Sequence, residues 1–169
     1  PFTPTDKIVA STYDLHKRLV TSDYCSHTTT IDVAISIFKT GQLLSAVKAF
    51  GRDAEELVLD SRNAASDPID YFDYVMLGWS NTSSGYRLAM ERLLGRAPSE
   101  KELQDKFIPG VSFHFIYTDL IKVTGYIFDG YHVAKIKDML NLFSELYICI
   151  IPTHNKSQFE NIIPSQLLD

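Results

Sequence analysis

Three short segments of the sequence carry residues that could bind a ligand or take part in catalysis. His27 is followed by three threonines and an amphipathic run, so an imidazole and several hydroxyl groups precede a helix. The aromatic run that ends at Trp79 leads into a hydroxyl-rich turn with Ser83, Ser84 and Tyr86. Glu145 heads the apolar run LYICII, where a charged side chain must be exposed, paired or functional. These residues are the candidates for a site.

Each candidate also has a purely structural interpretation. His27 can satisfy a backbone group near the start of a helix, and the threonines after it can act as caps. Trp79 can be buried in the core, and Tyr86 can pack one face of a helix against a sheet. Glu145 can be a solvated strand end. The sequence leaves both interpretations open.

The spacing of apolar residues predicts the elements that must position these segments. DYCSH predicts a strand with His27 at its C-terminal end. TIDVAISIFKT then predicts a helix that ends in a left-handed cap at Gly41. YFDYVMLGW, GVSFHFIYT and ELYICIIPT predict further strands, and His114 alternates with phenylalanines, which predicts a solvent-facing or hydrogen-bonded side chain. YRLAMERLLG predicts a helix that ends at Gly95, and Ser99 with Glu102 predicts a capping box.

The remaining segments give weaker patterns. Helices are expected over 6–20 and in the second half of 125–143. A loop with a helical turn at EELVL is expected before the aromatic strand, and a short helix followed by the start of a strand near the last residue. Strands and helices are intermixed without a βαβ period, which favours a mixed α+β domain with a mostly antiparallel sheet. GxGxxG and GxxxxGK[ST] are absent, so a Rossmann or P-loop nucleotide site is unsupported.

Composition limits the function classes further. A chain of 169 residues with 45% hydrophobic residues predicts one globular domain over 1–169. The net charge of −5 argues against a broad basic surface for duplex nucleic acid. The histidines form no HxxxH or HxH pair and the two cysteines have no CxxC spacing, so no metal is expected. GxSxG is missing, so a serine hydrolase is unsupported. The absence of an apolar run of about eighteen residues predicts no membrane span. The two widely separated cysteines indicate no disulfide-rich secreted scaffold, so a reducing, cytoplasmic setting is expected.

Taken in this order, the three segments resemble the motifs of the ADP-ribosyltransferase superfamily, most nearly its DarT-like and bacterial toxin branch. The resemblance covers most of the chain. Its first motif corresponds to His27 with Thr28 or Thr29, followed by a supporting helix and turn at Ala34, Ile37 or Phe38, Gly41 and Leu43. Its second motif corresponds to Trp79, Ser83, Ser84 and Tyr86, and its third to Glu145. The chain has no arginine in the hydroxyl-rich turn and no ExE or QxE pair at Glu145, so the resemblance does not name the acceptor.

The resemblance implies a split sheet with flanking helices and an NAD-dependent mono-ADP-ribosyltransferase of the toxin or effector type. NAD is then a substrate, and the partners are a protein or nucleic-acid acceptor and an antitoxin. Glu145 would stabilise the oxocarbenium-like state formed when nicotinamide leaves. His27 and the threonines would hold ribose hydroxyls, while Tyr86 or Trp79 would stack on nicotinamide. The segment 51–70 would close over NAD or contact the acceptor.

Other functions remain compatible with the sequence. An NAD glycohydrolase would use the same residues with water as the acceptor. A catalytically silent module could hold a nucleotide or a partner protein in the same cleft. An RNA phosphate-transfer enzyme would require several arginines and histidines near the motifs, and few are present there.

Overall fold

The structure is a computed structural model that describes residues 11–13, 18–20, 22–59, 68–80, 84–104, 110–127 and 134–164. The strands are β1 Ser11–Tyr13, β2 Arg18–Val20, β3 Tyr24–Thr29, β4 Gln42–Leu44, β5 Tyr74–Trp79, β6 Val111–Ile116, β7 Tyr126–Ile127, β8 Ala134–Lys137, β9 Met139–Asn141 and β10 Leu146–Ile150. The α-helices are α1 Ile31–Thr40, α2 Ala46–Phe50, α3 Ala54–Val58, α4 Ser84–Leu94, α5 Glu100–Gln104, α6 Tyr117–Leu120, α7 Leu142–Glu145 and α8 Lys156–Phe159. Short 3-10 helices occupy Ile69–Asp73 and Thr153–Asn155.

A six-stranded sheet in the order β10, β6, β3, β5, β8, β7 forms the centre of the fold. Its strand pairs are all antiparallel, as are those of the two-stranded sheets β1 with β2 and β4 with β9. The mixed α+β class with a mostly antiparallel sheet is therefore confirmed. No helix in the described part of the chain is both long enough and apolar enough to cross a bilayer.

The core lies between one face of this sheet and α1. Phe113 and Phe115 alternate along β6 and are fully buried. Phe38 on α1 packs against Phe113, with the ring centroids 5.4 Å apart, and against Phe159 of α8 at 5.8 Å. The helical spacing of α1 thus places its apolar stripe on β6, and the helix ends as predicted at Gly41, whose φ is 71°.

The predicted helix ends around α4 and α5 are also present. α4 ends at Gly95, which has a φ of 67°. Before α5, the Ser99 backbone N–H donates to Glu102 Oε2 at 2.8 Å, and the Glu102 N–H donates to Ser99 Oγ at 3.3 Å. This reciprocal pair is the predicted capping box.

A buried lysine links β8 to the 3-10 helix that leads into β5. The Lys135 ammonium lies 3.3 Å from Asp70 Oδ2, and 4.8 and 4.3 Å from the ring centroids of Tyr71 and Tyr74. The charge is stabilised by one carboxylate and two aromatic faces while its stem stays buried. This contact fixes how residues 68–73 enter the central strand β5.

Two helix predictions are wrong. Within 6–20, the described residues form the paired strands β1 and β2, with Ser11 opposite Val20. Within 134–141, the chain forms β8 and β9 because β8 pairs with β5, placing Ile136 beside Val75 in the core. Pairing with a neighbouring strand in the first segment, and with a distant strand in the second, outweighs the local helical spacing. The helical turn predicted at EELVL is present as α3, and the short helix predicted after it near the end of the sequence is present as α8. The rest of the first segment, 6–10 and 14–17, lies outside the described residues, as does the strand start expected within 165–169.

Candidate functional site

The sheet is incompletely paired on one side of β3, and this position defines the candidate site. β3 pairs with β6 along its whole length, from Tyr24 opposite Ile116 to Thr29 opposite Val111. Its pairing with β5 covers only Cys25 opposite Trp79 and Ser26 opposite Gly78. The ladder between these two strands therefore ends just before His27.

The His27 side chain bonds to the neighbouring strand at this position. Its Nδ1 lies 3.2 Å from the backbone carbonyl oxygen of Met76 on β5. Because a carbonyl oxygen only accepts, Nδ1 carries the proton, and the neutral ring has its lone pair on Nε2. The side chain is half-buried, and no described residue bonds to Nε2.

The surroundings keep His27 neutral near pH 7. Burial lowers the pKa of His27, the bond to the Met76 carbonyl opposes this effect, and the positive charge of Arg92 on α4 lowers the pKa further. A neutral imidazole with a fixed Nδ1–H presents Nε2 as an acceptor. Such a group can accept a hydrogen bond from a ligand hydroxyl without adding a charge to the site.

The threonines after His27 have structural partners. β3 continues to Thr29, so His27 lies two residues before the strand end rather than at it. Thr28 Oγ1 lies 3.1 Å from Ser112 Oγ across the β3–β6 pair, and Thr29 is only 1% exposed. Thr30 is the N-cap residue of α1 but makes no side-chain capping bond. Their positions fit the structural interpretation more closely than a ligand contact.

The second predicted motif begins beside the ladder end. Trp79 pairs with Cys25, is partly buried against the core, and packs edge-on to Tyr117 with ring centroids 5.0 Å apart. Ser84 opens α4 and Tyr86 lies in its first turn, but their side chains lie outside what the structure describes, as does the whole of Ser83. The helix α4, which carries Ser84 and Tyr86, packs against β3, the strand that carries His27.

Glu145 lies just before β10, the strand at one edge of the same sheet, and does not contact His27. Glu145 is the last residue of α7, so β10 begins one residue later than predicted. The Ser144 hydroxyl donates a hydrogen bond to Glu145 Oε1 at 3.0 Å. Leu146 on β10 pairs with Phe115 on β6, and Phe115 pairs with Cys25 on β3. Cys25 precedes His27 by two residues. Standard strand spacing then puts the Cα atoms of Leu146 and His27 about 12 Å apart. The structure therefore places the imidazole and the carboxylate two strands apart.

A second histidine, His114, lies in the middle of the same sheet. It pairs with Ser26, and its Nδ1 lies 2.8 Å from Ser80 Oγ. The ring is 2% exposed, burial lowers the pKa of His114 to about 4, and its Nε2 is buried without a partner among the described residues. The alternation of β6 predicted a hydrogen-bonded or solvent-facing ring, and the structure selects the bonded state. The bond to Ser80, 34 residues away, left no signal in the sequence.

No group of three or more histidine, cysteine or acidic side chains in the described ranges is arranged to hold a metal ion. Comparison with protein-family models, with curated proteins and with solved structures found no match to this chain.

Proposed function

We propose that the protein is an NAD-dependent mono-ADP-ribosyltransferase that transfers ADP-ribose to a macromolecular acceptor and releases nicotinamide. The observation that carries the proposal is the state of His27. Its ring is neutral, its Nδ1–H is held by the Met76 carbonyl, and its Nε2 is available where β3 and β5 part. An oriented, uncharged acceptor at a break in a sheet suits a sugar hydroxyl.

In the proposed reaction, His27 Nε2 accepts a hydrogen bond from a hydroxyl of the nicotinamide ribose. The bond between the ribose carbon and the nicotinamide nitrogen breaks, and its electron pair leaves with nicotinamide. The Glu145 carboxylate stabilises the positive charge that develops on the ribose. A nucleophile of the acceptor then bonds to the same carbon and loses its proton to water.

Strand β6 lies between the two groups, and its Phe113 and Phe115 side chains are fully buried. Enzymes that cleave glycosidic bonds hold the sugar ring between two catalytic side chains, so these two side chains need not touch each other. The backbone separation of about 12 Å between His27 and Leu146 is wide enough for a ribose, provided that the ring lies beside the buried Phe113 side chain rather than over it. His27 and Glu145 would then contact opposite sides of one ribose.

The proposal is tested by incubating the protein with NAD and following nicotinamide release. Glu145→Gln keeps the shape of the side chain and removes its charge, so release should fall about 100-fold. His27→Ala removes one hydrogen bond to the substrate and should cost about tenfold. Glu160→Gln and His154→Ala change exposed residues of the same types and should match the parent.

The products separate the related activities. Transfer of labelled ADP-ribose to a protein or nucleic-acid acceptor supports the transferase, whereas free ADP-ribose alone identifies an NAD glycohydrolase. Release that survives both Glu145→Gln and His27→Ala would reject the assigned site. NAD binding without release, in the presence of cell extract as a source of acceptors, would instead support a binding module.

A further inference from the structure

We draw no further inference here: the strongest candidate, the apolar cavity that Ile151, Phe159 and Ile163 line between the end of β10 and α8, carries nothing because nothing in the described part of the structure shows what covers it.

Discussion

Lowering the pH from 7.5 to 5 should destabilise the folded protein by about 2 kcal/mol through His114 alone. Burial lowers the pKa of this imidazole from its ordinary value of 6.5 to about 4. At pH 7.5 the ring is neutral in both the folded and the unfolded chain. Below pH 6.5 the unfolded chain takes up a proton that the folded chain resists until about pH 4, so stability is lost across that window.

The assay is urea unfolding at pH 7.5, 6 and 5 for the parent and for His114→Asn. Asparagine can keep a polar atom near the Nδ1 position, where it can bond the Ser80 hydroxyl, but it does not titrate. The parent should lose about 2 kcal/mol more than the variant between pH 7.5 and 5. Other groups, including His27, whose pKa is also lowered by burial, are present in both proteins and cancel in the difference.

Only the change with pH is compared, so a constant packing penalty in the variant does not affect the result. Parallel pH dependence in the two proteins would refute the reasoning. It would mean that His114 has the same pKa in the folded protein as in the unfolded chain. NMR titration of the ring would show the same failure directly, as a pKa near 6.5.

Three further outcomes are expected. Gly41→Ala should cost about 1–2 kcal/mol in urea unfolding because φ is 71° and a Cβ would meet the Phe143 ring at 3.0 Å; an unchanged midpoint would contradict the left-handed cap. Phe113→Ala should cost about 3–5 kcal/mol by the same measurement, since the side chain is fully buried between β6 and α1; a loss below 1 kcal/mol would place the core elsewhere. Cys25 is fully buried and burial raises the pKa of Cys149, so Ellman's reagent should react slowly with the folded protein and quickly with both thiols in urea; fast reaction of the folded protein would show that the sheet opens.

The sequence predicted the elements whose signals are local. The alternation of Phe113 and Phe115, the glycine at position 41 and the Ser99–Glu102 pair each act within a few residues, and each is present in the structure. β8 was mispredicted because Ile136 is buried only by pairing with β5, about sixty residues earlier in the chain. Pairing of this kind has no local spacing that distinguishes it from a helix.

The same distinction applies to the candidate site. The residue types at His27 and Glu145 could be recognised from their neighbours, but their separation depends on the order and register of three strands. The bond from His27 to the Met76 carbonyl depends on where the β3–β5 ladder ends, and no side-chain pattern encodes that position. The sequence could therefore identify His27 and Glu145 as candidates, but not the hydrogen bond and protonation state of the His27 imidazole.

The two histidines of the central sheet show why the end of the ladder matters for function. Both rings are kept neutral by burial, and both bond through Nδ1 to a group on or next to β5. His114 lies on β6, flanked by paired strands on both sides, and its Nε2 is sealed in. His27 lies on β3 where pairing with β5 has stopped, and its half-buried ring can meet a ligand. Under the proposed function, binding at His27 therefore depends on the strand edge left unpaired beside it as well as on the histidine itself.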